Sequence, residues 1–190
     1  MLKYYARTFL PWIVLAVGSG FDNRAGALAG LATAVALIVV DRRAGRRMDE
    51  LILELSTAVF MAAFAVFAVA LPGSPILDYG TSLSMGWLAL VAWAGLVVRR
   101  PFTLGIARRQ VAEPITGTSQ FLQFNMTITL VWAVCFTLEA LTLAVVQHYA
   151  PHALPVLIVC KVGFLAAAAI FTARYSALAQ RRAVALEPSL

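Results

Sequence analysis

Two ionisable side chains stand deep in uncharged sequence. Glu139 lies in "WAVCFTLEALTLAVV" and Lys161 in "LPVLIVCKVGFLAAAAIFT". A charge inside a bilayer costs about 3 kcal/mol on insertion scales, so such residues face the protein interior or a wet cavity and have a partner. A carboxylate and an ammonium can do one of two things there. They can form an ion pair that fixes helix register with a net stabilisation near zero. They can also serve a proton or substrate path. Asn125, Trp132 and Glu139 recur every seven residues, and so do Lys161, Ala168 and Tyr175. That spacing puts each trio along one line of a helix. A cleft lined by Asn125, Trp132 and Tyr175 around the Glu139–Lys161 pair is the bold reading; close packing of the last helix is the conservative one.

Other chemistry is thinly supplied. His148 and His152 are four apart, a spacing that can share a metal. Pro151 interrupts it, and no nearby Cys, Asp or Glu completes a set, so they read as surface histidines. Cys135 and Cys160 fit no zinc or redox spacing and read as small buried hydrophobes. No G-x-S-x-G, H-E-x-x-H or phosphate loop occurs, and no nucleophile, base and electrophile come together. No catalytic residue, metal or cofactor is expected, and the chain is read as no enzyme.

The elements that must position the two charges follow from composition. The chain has 190 residues, 62% hydrophobic and 13% charged. A soluble domain is about half apolar and a quarter charged, so this is a membrane protein, read as a single integral domain over 1–190. A membrane helix needs about 20 apolar residues. Six segments come near that: 8–21, 25–40, 51–71, 83–98, 121–147 and 154–178. Together they predict an all-α polytopic bundle of six spans. The stretches "GFDNRAG", "PGSP", "RRPF" and "APHALP" supply the turn residues between them.

Basic residues orient the bundle. Arg42, Arg43, Arg46 and Arg47 follow the second segment, Arg99, Arg100, Arg108 and Arg109 the fourth, and Arg181 and Arg182 the sixth. Lys3 and Arg7 precede the first, and the opposite side has only Arg24. The positive-inside rule then places both termini in the cytoplasm, with anionic lipids as partners of the arginine clusters. Nucleic acid is not an expected partner, because no polar domain exists to present a groove-reading element. The start "MLKYYARTFLPWIVLAVGSGF" also has the layout of a signal peptide; its cleavage would leave five spans in the same orientation.

Small residues mark packing faces. Gly26, Gly30 and Ala34 form one stripe, for which a retained first helix is the natural partner, and Gly163 and Ala167 form another. Such stripes allow a homo-oligomer without demanding one. The polar stretch 101–120 does not span. Phe102, Ile106 and Arg109 on one side of it fit a cytoplasmic interfacial helix, and a solvated loop is the alternative.

Depth ties the two charges together. Glu139 is eight residues from Gln147 and Lys161 seven from Leu154, or about 12 Å and 10 Å at the helical rise. The short link between their helices makes these antiparallel neighbours. The sequence thus permits a Glu139–Lys161 pair in the membrane. Separate partners, or a snorkelling lysine with the glutamate facing a wet cleft, remain the alternatives.

The order of short motifs resembles a known family. "FLPWIV" (9–14) opens the first span, and Asp22 sits in the first tight turn. An alanine-rich span then ends in "ALIVV" (36–40). "RRP" (99–101), "WAVCFT" (132–137) and "CKVGFLAAAAIFT" (160–172) follow in order. In this the chain resembles the intracellular septation protein A family of small bacterial inner-membrane proteins. The resemblance implies a plasma-membrane location and a role in envelope integrity or cell division, with division proteins or lipids as partners. Pro101, Trp132 and Lys161 carry over, with Cys160 replacing an aromatic residue. Thr129 stands where the family has an asparagine, with Asn125 one turn earlier. Glu139 has no counterpart, and 107–120 differs. The departures leave open a diverged relative with another task. Two functions therefore stand: a non-enzymatic envelope protein acting through protein or lipid contacts, and a small transporter or lipid-flux protein using a polar site at Glu139 and Lys161.

Overall fold

The computed structural model describes residues 2–46, 48–108, 113–150 and 153–186. Arg47, Arg109, Val111, Pro151 and His152 lie outside the described residues. Local chemistry sets the helix starts. Helix α1 covers Leu2–Gly18. Asp22 then caps α2, Asn23–Arg43, its carboxylate accepting from the Ala25 N–H at 2.8 Å. A short 3-10 turn leads into α3, Ile52–Ala70. Ser74 caps a 3-10 turn over Pro75–Tyr79 that feeds α4, Gly80–Val97. Helix α4 stops at Arg99, whose φ of 55° is left-handed, and at Pro101. Two short helices follow, α5 over Phe102–Arg108 and α6 over Glu113–Thr116. The Thr118 hydroxyl accepts from the Phe121 N–H at 3.2 Å and starts α7, Ser119–Tyr149. Helix α8 covers Leu154–Leu186. No strand occurs among the described residues.

Among the described residues, five stretches are long and apolar enough to cross a membrane: α2, α3, Pro75–Val97, α7 and Pro155–Ala179 of α8. The apolar part of α1, Arg7–Gly18, is shorter. The protein is thus an all-helical, multi-pass membrane bundle. Its main packings are α1 on α2, α2 on α3, α4 on α7 and α7 on α8.

The four tryptophans tie the helices in series. The Trp12 indole N–H donates to Thr57 at 3.2 Å, joining α1 to α3. Trp87 donates to the Ser56 carbonyl at 3.1 Å, joining α4 to α3. Trp93 donates to Thr137 at 3.1 Å, joining α4 to α7. Trp132 donates to Thr172 at 3.0 Å, joining α7 to α8. An indole N–H left without a partner in hydrocarbon would be costly. Two ring clusters surround these bonds. Trp12, Phe60, Phe64 and Trp87 form one, and Phe9, Trp132, Phe136 and Phe102 the other. Trp132→Phe keeps the ring and removes the donor. We expect a loss of about 1 kcal/mol, typical of interhelical bonds in membranes, read as a lower apparent melting temperature in detergent. An unchanged melt would show that the bond contributes nothing.

Arg7 and the arginines that follow α2 and α4 gather at one end. Arg7 of α1 pairs with the buried Asp41 of α2 at 2.8 Å, and Arg46 lies 3.8 Å from Glu50. Arg100 and Arg108 join Glu50 around a recess of about 170 Å³. The link of α4 to α7 through Trp93 and Thr137 leaves the first turns of α7 beyond the end of α4. Helix α5 covers them. Its Thr103 hydroxyl lies 3.1 Å from the Asn125 carbonyl and 2.8 Å from the Thr129 hydroxyl. Phe102 and Ile106 are buried. Phe102 and Ile106 of α5 thus face the protein, over the part of α7 that α4 leaves uncovered.

Candidate functional site

At the end opposite the arginines, the 3-10 turn over Pro75–Tyr79 is tied to α7. Gln147 donates to the Asp78 carbonyl at 2.8 Å, and the Tyr79 hydroxyl lies 3.2 Å from His148 Nδ1. This strap, with α1, α2, α3, α4, α7 and α8, borders a cleft of about 710 Å³. One part of the wall is polar: Ser19, Asn23, Thr81, Ser84 and Gln147. Another is apolar: Trp12, Leu15, Phe64, Leu77, Met85 and Leu157. Lys161 is the cation on its lining and Asp78 the acid. Ser19 Oγ and Gln147 Oε1 are buried without a hydrogen-bond partner, and both residues line this space. Phe9 packs on Trp132 and Phe136 toward the basic half, and the cleft occupies the half beyond them.

Glu139 is not on the cleft wall. It is 0% exposed, and neither carboxylate oxygen has a hydrogen-bond partner. It interacts electrostatically with Lys161, yet no salt bridge joins the two among the described residues. The sequence permitted a direct pair. The structure instead brings the charges into one region, with the lysine on the cleft and the carboxylate sealed behind it.

The other expected lining residues are elsewhere. Asn125 is 1% exposed, and its amide donates to the Phe121 carbonyl at 2.9 Å. Trp132 is 3% exposed inside its ring cluster. Tyr175 stacks with Phe124 at 4.9 Å and with Phe171 at 5.4 Å. The heptad line fails for two reasons. It drifts by about 20° per repeat on a straight helix. Asn125 also lies 14 residues from Glu139, about 21 Å along the axis, in the half of α7 that α5 covers. Of the positions carried over from the family motif, Pro101 is fully buried at the break before α5, Trp132 packs in the core, and Lys161 alone reaches the cleft.

The two small-residue stripes have different fates. Gly26 meets the backbone of Gly18 and Ser19, and Gly30 meets Pro11, Leu15 and Met61. Ala34 is buried beside them. Gly163 has open space around it and Ala167 is exposed. On α8 the face with Ala168, Thr172 and Ser176 is the buried one. Cys135 and Cys160 are free and half-buried. His148 contacts Tyr79, while His152 lies outside the described residues.

Sequence reasoning missed Ser19, Asn23, Asp78, Tyr79, Thr81, Ser84 and Gln147. They sit in or beside turns, in three separate stretches of the sequence. The available signal was that "GSGFDN", "LDYGTSLS" and "VVQH" all fall on one side of the bundle. Chemically, the arrangement is an ammonium within a half-polar, half-apolar cleft, with amide and hydroxyl groups around it. It can hold an anionic group attached to an apolar body. Fold and cleft together define a polytopic helical membrane protein with a cleft at one end. No protein-family model matches the chain, and neither a curated protein nor a solved structure matches it.

Proposed function

We propose that the protein is a non-enzymatic, six-span protein of the bacterial inner membrane that takes the anionic headgroup of an outer-leaflet lipid into its cleft. The carrying observation is Lys161 on the lining of the cleft. An ammonium held in partly apolar surroundings recruits an opposite charge. The apolar wall supports a lipid over a free anion. So does the packing of α8, which rests chiefly on α7 and leaves the side toward α1 less covered. Helix α1 is the sixth span; its 17 residues reach about 25 Å, and local thinning accommodates the difference. The arginines gathered at one end support a cytoplasmic position for that end and for both termini. The resemblance of short motifs to septation protein A proteins supports an envelope setting through lipid balance.

Lys161→Met tests the reading. In phosphatidylcholine nanodiscs carrying a few per cent phosphatidylglycerol, the wild type retains bound phosphatidylglycerol by native mass spectrometry. The variant is expected to bind it at least about tenfold more weakly, the value of one charge-assisted hydrogen bond. The arginine clusters are intact in both proteins, so their lipid contacts cancel. Equal retention overturns the cleft reading, and displacement by millimolar inorganic phosphate overturns the choice of a lipid. A deletion strain with normal cell shape and normal envelope-stress resistance would remove the envelope role.

A further inference from the structure

Glu139 takes no part in holding the headgroup, yet it is the most demanding group in the membrane. Both of its oxygens are buried and without a hydrogen-bond partner. An ionised carboxylate in that state needs a counter-charge close by, or it takes up a proton. Its electrostatic partner is Lys161. The other titratable groups around it are few. Its own helix offers Cys135, which also feels its charge, and His148 and Tyr149 at the far end. Helix α4 has no titratable residue. Arg7 of α1 is engaged by Asp41 at the basic end. Helix α8 adds Cys160, Arg174 and Tyr175, and the strap adds Asp78 and Tyr79. One ammonium thus faces the Glu139 carboxylate, and that same ammonium lines the cleft, on whose wall the acid is Asp78.

We propose that occupancy of the cleft by an anionic headgroup is coupled to uptake of one proton by the Glu139 carboxylate. The inference rests on the cleft reading above. With the cleft empty, Glu139 and Lys161 together carry no net charge. A phosphodiester brought against Lys161 adds one negative charge to the same low-dielectric region. Lys161 cannot neutralise both anions. The headgroup keeps its hydrogen bonds to the ammonium, while the carboxylate has none to lose. The carboxylate therefore takes up one proton from bulk water, which restores neutrality. Release of the headgroup returns the proton. No bond other than O–H forms or breaks.

The sign of the pH dependence follows. A ligand that brings a proton with it binds more tightly as pH falls, by up to tenfold per pH unit for one proton. The test is calorimetry of the full-length protein in detergent, titrated with short-chain dihexanoyl-phosphatidylglycerol in two buffers of different ionisation enthalpy. The wild type should take up close to one proton per lipid bound at neutral pH. Glu139→Gln should bind more tightly, with an affinity flat in pH and no proton uptake. Wild-type binding without proton uptake overturns the coupling and leaves the cleft reading standing. Absence of binding overturns the cleft reading itself. Unchanged uptake in Glu139→Gln assigns the proton elsewhere and also sinks the proposal. Should Glu139→Gln fail to fold, the wild-type slope against pH decides alone: a flat line overturns the coupling.

Discussion

Replacing Gly26 by leucine should abolish assembly of the bundle. A Cβ at this position would come within 2.7 Å of the Gly18 carbonyl carbon and of Ser19 Oγ, and closer still to the Ser19 nitrogen. Two of these three atoms belong to backbone, so no rotamer change relieves the overlap. Relief requires α1 to move away from α2. That movement would strain the Arg7–Asp41 ion pair, the Trp12–Thr57 bond and the seat of Phe9 on Trp132. Overpacking alone costs about 1–3 kcal/mol. With those contacts disturbed as well, the loss should exceed about 4 kcal/mol, which few single substitutions reach. The measurement is the yield of monodisperse protein from detergent and its apparent melting temperature. Gly163→Leu is the control, since nothing lies within 4 Å of the added carbon; it should behave as wild type. Equal behaviour of the two variants would contradict the α1–α2 packing.

Glu139→Leu should have the opposite sign. Both carboxylate oxygens are buried without partners, so the native residue is a burden on the fold. Buried ionic groups replaced by apolar side chains of similar volume commonly give stabilities equal to the original or higher by about 1–4 kcal/mol. Lys161 keeps its access to the cleft and is not stranded by the change. The apparent melting temperature in detergent should therefore rise. Lys161→Met should leave Glu139 without its counter-charge and lower stability when the carboxylate is ionised. The double variant should be the most stable of the three. If Glu139→Leu is instead strongly destabilising, the carboxylate has a structural partner and the proton-site reading loses its basis.

The helices were legible because lipid exposure makes spans apolar over their whole length. Segments 51–71 and 83–98 became Ile52–Ala70 and Gly80–Val97. The ends diverge where polar residues continue a helix past its apolar part: α7 runs two residues beyond 121–147 at each end, and α8 passes 178 to reach Leu186. The region of the site was legible too, since Glu139 and Lys161 were the only deep charges and their depths matched. Which face of each helix meets which neighbour was not. Helix α8 is apolar all round its membrane part, so nothing in its pattern separates Gly163, which faces outward, from Ala168, which is buried. The cleft wall is likewise contributed by seven separate elements, and no single segment carries its outline. The strap over Pro75–Tyr79 looked like an ordinary turn because its anchors, Gln147 and His148, are 69 residues away in each case.

The attachment of α8 chiefly to α7 has a bearing on how the chain is made. Lys161 follows Glu139 by 22 residues. A ribosome adding about 5–20 residues per second reaches the lysine about one to four seconds after the glutamate. Throughout that interval the carboxylate has no counter-charge of its own chain to meet in the bilayer. A carboxylate that reached the lipid in that interval would be favoured as the neutral acid, and arrival of the last helix would supply its counter-charge. The order of synthesis thus sets for Glu139 the same choice between a proton and an ammonium that filling of the cleft would set in the finished protein.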